Sequence, residues 1–187
     1  FISPTAGQAI RSPKGYWEFI PASLPPALNW TAQLVSLAGE AERALAELST
    51  VGKSFPAPHV LTSSFIRQEA VMSSRIEGTQ ATLEEIYQYE AGVTFTQPKS
   101  DAKEVHNYVS ALDHGLSRLS TLPVSLRLIR ELHEHLMKGV RGDLWTPGEF
   151  RRSQNWIGPA GSTLETAPYV PPPVDEMIES LNQLERY

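Results

Sequence analysis

Ser73, Glu77 and Gly78 form the pattern whose residue types and spacing point most directly to chemistry. They close the stretch FIRQEAVMSSRIEGTQ, Phe65–Gln80. Leu61, Phe65, Met72 and Ile76 recur at helical spacing and predict one apolar stripe. Ile66, Ala70, Ser73 and Glu77 form a second, mixed stripe beside it. Gly78 supplies the stop, because glycine enters the left-handed conformation without a Cβ penalty. Glu77 is therefore expected in the last turn, one helical repeat beyond Ser73 and on the same face. A helix C-terminus carries partial negative charge, so a carboxylate there is disfavoured unless a cation reaches it. Arg75 lies two residues away and points to another face, so the spacing predicts a cation from elsewhere. The bland alternative is a core helix that ends in a solvated glutamate.

The remaining ionisable residues offer less. His133-Glu134-His135 suggests metal binding, but residues two apart on a helix point about 200° away from each other, so the imidazoles cannot share one ion. A surface or packing role is expected for both. His59, His106 and His114 are scattered, and a Ser–His–Asp arrangement cannot be argued without distances. Neither of the common glycine-rich phosphate loops occurs. The chain has no cysteine, which removes disulfides, thiolate nucleophiles and Cys-ligated zinc and fits a cytoplasmic location. Sixteen basic and 21 acidic residues give a net charge of −5 with no basic patch, so direct nucleic-acid binding is not expected. No apolar run approaches the length of a membrane span, and the start at Phe1 carries no signal-peptide pattern.

The elements that must position Glu77 can be read in order. The 187 residues fit one domain or one large piece of one. Residues 1–28 read as an irregular arm broken by Pro4, Pro13, Pro21, Pro25 and Pro26, pinned by Tyr16, Trp17 and Phe19. Asn29 is expected to cap a helix from Trp30 to Leu48 that buries Leu34, Leu37, Ala41, Ala44, Leu45 and Leu48. Ser49–Pro58 reads as a loop, followed by the Glu77 helix over about residues 59–77. Thr82-Leu83-Glu84-Glu85 is a capping box that opens a short helix to Glu90. Gly92–Ser100 is a connector. Asp101–Leu119 is a helix with Val105, Tyr108, Val109, Leu112, Leu116 and Leu119 inward. Leu126–Met137 is another, with Leu128, Ile129, Leu132 and Leu136 apolar. Trp156-Ile157-Gly158 and Ala167–Val170 flank a polar, glycine-rich centre and predict a hairpin over about residues 156–170. Its mobile tip is Gly161, Ser162, Thr163, Leu164, Glu165 and Thr166. A final helix starts near Val174.

Ser73-x-x-x-Glu77-Gly78 resembles the inhibitory helix of Fic-domain proteins, written S/T-x-x-x-E-G/N. The longer stretch SSRIEGTQATL resembles the fuller signature of the Fic N-terminal region. LPPALNW is similar to its entry, DAKEVHNYVSAL to its D/E-x-x-E-V-x-N-Y-x-x-A-L helix, and RELHEHLMKGVRG to the helix after it. GEFRRSQNWIG followed by APYVPP resembles the segment ahead of the Fic active site, whose hairpin is the family's flap. The resemblance runs over about residues 24–187. It implies a mainly α, Fic-like helical domain with an N-terminal helical region over 29–120. The start of the Fic core would follow over 121–187, with the small β-hairpin flap.

The resemblance implies a protein adenylyltransferase, moving AMP from ATP to a Tyr, Thr or Ser hydroxyl of a target protein with Mg²⁺. The family's catalytic signature, H-P-F-x-D/E-G-N-G-R-x-x-R, is absent from these residues. The chain is therefore expected to be the N-terminal part of a longer enzyme, inactive alone and holding neither ATP nor Mg²⁺ by itself. Glu77 would pair with the second arginine of that signature and take the place of the γ-phosphate. The flap would pair by main chain with an extended segment of the target, a form of β-strand addition. A homodimer is compatible with this reading. Two other classes stay open: a stand-alone, antitoxin-like inhibitor that donates Glu77 to a partner enzyme, and a helical interaction module without nucleotide chemistry.

Overall fold

The computed structural model describes residues 2–3, 5–93, 100–140 and 146–187, with the side chains of His59, Leu61 and Ser100 outside the description. The connector expected before Ser100 lies mostly outside the described residues, as does Trp145. Among the described residues are six helices and one three-stranded antiparallel sheet. The protein is mainly α, as the sequence predicts. Two compact units are present. One comprises residues 29–123 and 128–148, the other 1–28, 124–127 and 149–187.

The first unit contains α1 (Ala32–Ser54), α2 (Pro58–Ile76), α3 (Leu83–Glu90), α4 (Ser100–Arg118) and most of α5 (Leu126–Leu136). Its core comes from α2, α3 and α4. Ala70, Val71, Ala81, Ile86, Ala102, Val105 and Val109 are buried, with Ile66, Tyr89 and Tyr108 packed against them. Ile86 and Val105 are the largest fully buried side chains, and burying each contributes about 1.5–3 kcal/mol. Small residues on α2 and α4 let these helices approach closely, and Ile86 fills the space that remains.

Several expectations change here. On α2 the mixed stripe faces the core through Ile66 and Ala70, whereas Phe65, Met72 and Ile76 of the apolar stripe are 66%, 54% and 85% exposed. Periodicity identified both stripes but not which one is covered. The first helix runs longer and later than Trp30–Leu48. Its cap is Thr31 rather than Asn29, because the Thr31 hydroxyl accepts from Leu34 N–H at 3.2 Å. It continues through Ser49–Ser54, where the Thr50 and Ser54 hydroxyls donate back to the carbonyls of Ala46 and Thr50. None of its residues is buried, so Leu34, Leu37, Ala41, Ala44, Leu45 and Leu48 do not form the inward face expected of them. On α4, Val105 and Val109 are buried, but Leu116 is exposed, as is Leu119 just beyond the helix end.

α3 follows the sequence closely. Thr82 and Glu85 form the reciprocal capping box, with Thr82 N–H to Glu85 Oε2 at 2.9 Å and Glu85 N–H to Thr82 Oγ1 at 3.3 Å. Arg67 of α2 holds the other end of α3. Its Nε reaches both oxygens of Glu90, at 3.1 and 2.9 Å, and this pairing raises the Arg67 pKa.

The second unit corrects the expectation of an irregular arm. β1 (Ile2–Ser3), β2 (Gly7–Arg11) and β3 (Trp17–Pro21) pair in the order β1-β2-β3, with Ala9 opposite Phe19. Proline excludes helix here, but Pro13 and Pro21 fall at a turn and a strand end, and Pro25 and Pro26 lie beyond the sheet. Pro13 occupies the turn Ser12–Gly15, closed by Gly15 N–H to Ser12 O at 2.9 Å, and Pro21 ends β3. Gly7 has φ +131, and a Cβ there would sit 2.2 Å from the Ile20 carbonyl oxygen. Phe19 N–H donates to the Val170 carbonyl at 2.9 Å, and the Phe19 and Tyr169 rings are tilted at 6.1 Å. The unit ends in α6 (Val174–Arg186).

Candidate functional site

The site begins with how α2 ends. Ile76 is its last helical residue, and Glu77 is the C-cap at φ −83, ψ 3. The Glu77 N–H bonds to Ser74 O at 3.1 Å and the Gly78 N–H to Arg75 O at 3.0 Å. Gly78 then turns the chain at φ +91, in the left-handed region expected of it. Among the described residues nothing beyond its chain neighbours lies within 4 Å of where its Cβ would be, so the glycine serves conformation rather than close packing.

The Glu77 side chain is exposed and makes no ion pair or hydrogen bond among the described residues. Arg75 does not neutralise it. Glu77 instead lies at a cavity of about 660 Å³, whose walls come from α2, α4 and the end of α5. Ser73, Ser74 and Thr79 contribute hydroxyls. Glu104, Tyr108 and His133 add polar groups, and Leu136, Met137 and Val140 make an apolar wall. Ser73 shares the face expected of it but makes no hydrogen bond to Glu77. Ser73 Oγ donates backward to Glu69 Oε1 at 2.6 Å.

The cavity's far wall is held in place by α4. Asn107 is buried, and its Nδ2 donates to the carbonyls of Leu136 and Lys138 at 3.0 and 2.9 Å. Lys103 Nζ donates to Gly139 O at 2.7 Å. Together they satisfy carbonyls at the end of α5 that have no helical partner. His133 accepts a hydrogen bond at Nδ1 from Gly148 N–H at 2.9 Å, which places the neutral ring's proton on Nε2. His135 stacks on His114, with ring centroids 4.1 Å apart. The two imidazoles of the His133-Glu134-His135 run thus have different neighbours. Among the described residues no group of three His, Asp or Glu side chains could hold a metal.

Residues 35–117 match the family described as Fic/DOC family N-terminal. That stretch is a Fic N-terminal region. It takes in most of α1, all of α2 with Ser73, Glu77 and Gly78, α3 and nearly all of α4. No curated protein matches the chain. Among the described residues no helix is long and apolar enough to cross a membrane.

The hairpin lies in the other unit. Ile157 pairs with Tyr169 in a single antiparallel bridge, with Ile157 N–H to Tyr169 O at 2.9 Å. Pairing stops after Val170 because Pro171, Pro172 and Pro173 have no N–H. Arg151 and Gln154 take the free carbonyls, Arg151 that of Pro172 and Gln154 that of Pro171 at 2.6 Å. Desolvation at this position lowers the Arg151 pKa. The tip bonds to itself. The N–H groups of Ser162, Thr163, Thr166 and Ala167 go to Pro159 O, Thr166 Oγ1 and Thr163 O, the last taking two of them. Thr163 Oγ1 donates to Glu165 Oε2 at 2.7 Å and pulls the Glu165 pKa below its ordinary value. Gly161 turns at φ +86. Leu164 is half-buried, and Ser162 Oγ also reaches Pro159 O.

Sequence reasoning missed Glu69, Asn107 and Lys103. The position of Glu69, one helical repeat before Ser73, was the available signal. Asn107 lay inside the matched N-Y-x-x-A-L stretch, but its partners are carbonyls, which a sequence does not display.

Proposed function

We propose that this chain is the regulatory and target-docking part of a Fic-family protein adenylyltransferase, restrained by Glu77. One observation carries the reading. Within the matched family segment, an exposed helix-end carboxylate lies at a cavity without a cation partner among the described residues. Such a group favours an incoming guanidinium. The family resemblance supplies one, the second arginine of the catalytic signature. Inhibition is then a competition between one carboxylate and one γ-phosphate for that guanidinium, and it requires no large motion.

The lining of the cavity does not fit ATP as a ligand of its own. The cavity's ionisable side chains are Glu77, Glu104, Tyr108 and His133, and two carboxylates repel a triphosphate. No step is assigned to nucleotide or metal on this chain. The hairpin is proposed to dock the target protein. The N–H groups of Ser162, Thr163, Thr166 and Ala167 are already bonded within the tip, and Ile157 N–H is bonded to Tyr169 O, so main-chain pairing with a target falls to the other backbone groups of the hairpin.

The test is AMP transfer from labelled ATP by the complete protein carrying Glu77→Gly. A charge-assisted bond contributes about 1.5–3 kcal/mol, so its removal is expected to raise transfer roughly tenfold to a hundredfold. Transfer that falls or stays level with an intact fold overturns the assignment. Glu77→Asp, with the same charge on a shorter reach, should fall between wild type and Glu77→Gly.

A further inference from the structure

We propose that Glu69 is a positioning residue for Glu77 and acts through the Ser73 hydroxyl, an inference that rests on the autoinhibitory reading above. Glu69, Ser73 and Glu77 follow one another at intervals of four along the end of α2, so each is about one turn from the next. A serine hydroxyl has one proton to donate. Here that proton goes to Glu69 Oε1 over 2.6 Å, a length typical of a hydroxyl bound to a carboxylate. Ser73 is half-buried and lines the cavity beside Glu77, while Glu69 is exposed. One proton on the cavity wall is thus bonded to a carboxylate one turn behind, while the spacing of four puts a second carboxylate one turn ahead.

The two arrangements differ in what they do to Glu77. With the hydroxyl turned to Glu69, the Glu77 carboxylate has no partner among the described residues and is free to reorient. With the hydroxyl turned to Glu77, the carboxylate is tethered at the cavity. A carboxylate has about four lone-pair sites, so one serine bond leaves room for a bidentate guanidinium. Tethering reduces the rotamer freedom lost when that guanidinium binds. Ser73 therefore supports inhibition only when it turns forward, and Glu69 opposes inhibition by holding it back.

Glu69→Ala should lower AMP transfer by the complete protein about threefold to tenfold, the change expected from one net hydrogen bond. The decrease should vanish in a Ser73→Ala background and again in a Glu77→Gly background. An equal decrease in the Ser73→Ala background would mean that Glu69 acts by another route and would overturn the proposal. A second measurement needs no activity. In the 187-residue chain with ¹³C-labelled glutamate, the Glu77 carboxylate resonance at neutral pH should move on Glu69→Ala and return in Glu69→Ala with Ser73→Ala. A resonance that stays put overturns the relay. If Glu77→Gly fails to raise transfer while the resonance moves as expected, the autoinhibitory reading fails and the hydroxyl relay stands. If Glu77→Gly activates and Glu69→Ala changes neither measurement, the relay alone fails.

Discussion

Replacing Asn107 with leucine should loosen the wall of the cavity that faces Glu77. The amide donates to Leu136 O and Lys138 O, and the side chain is buried. Each neutral hydrogen bond contributes about 1 kcal/mol net, so losing both costs about 2 kcal/mol. Leu136 is half-buried and Lys138 exposed, so one carbonyl regains water readily and the other less so. Part of a further 1–3 kcal/mol desolvation penalty then applies, and about 2–4 kcal/mol is expected in total. Lys103 provides the internal comparison. It binds Gly139 O in the same turn from a more exposed position, and a cation near a helix C-terminus contributes about 0.3–1 kcal/mol. Lys103→Met should therefore cost several times less than Asn107→Leu. Amide hydrogen exchange at residues 137–140 resolves the local effect, and urea denaturation gives the total. Exchange should accelerate there in Asn107→Leu before α2 and α3 respond. A cost for Asn107→Leu at or below that of Lys103→Met would refute the claim that the amide pins this turn.

Two further outcomes follow from the local geometry. Gly78→Ala should destabilise the chain by about 1–2 kcal/mol in urea denaturation, because φ is +91 and an added Cβ has open space, leaving only the left-handed penalty; Gly78→Asn should cost less, and a neutral alanine would contradict the assignment. Glu165 should titrate below its ordinary 4.5 because Thr163 donates to it, so the tip contact is present above the ordinary carboxylate range and is lost as pH falls through the depressed value. Carboxyl NMR titration of Thr163→Val should show that midpoint rising towards the ordinary value, and an unmoved midpoint would rule out the hydroxyl as the cause.

What the sequence displayed depended on how local the cause was. The α3 capping box was legible because all its partners lie within four residues, and the same holds for the turn at Gly78. The sheet at residues 2–21 was hidden by its prolines, read as breakers although those described sit at turns and strand ends. The burial of α1 was misread for a different reason. A helical stripe records which residues share a face, and Leu34, Leu37, Leu45 and Leu48 do share one, but the pattern is silent on what covers it. α2 shows the same limit more sharply. Its stripe of larger residues is the exposed one, because the neighbouring helix packs where Ala70 admits it.

The candidate site divides along that line. Glu77 was legible because a carboxylate at a helix end, followed by glycine, is an electrostatic misfit that residue types alone reveal. Its relation to Ser73 was not, because the spacing of four that places Ser73 behind Glu77 also places Glu69 behind Ser73. Sequence offers both acceptors equally. Geometry chooses between them, and in this structure the hydroxyl turns to Glu69. The position of a helix-end carboxylate is therefore enough to propose a function for it, whereas the proposed strength of that function rests on Glu69, two turns away, which holds the Ser73 proton. An S/T-x-x-x-E-G pattern with a carboxylate four residues upstream should accordingly restrain less than the same pattern with alanine there. The Glu69→Ala comparison measures that difference directly.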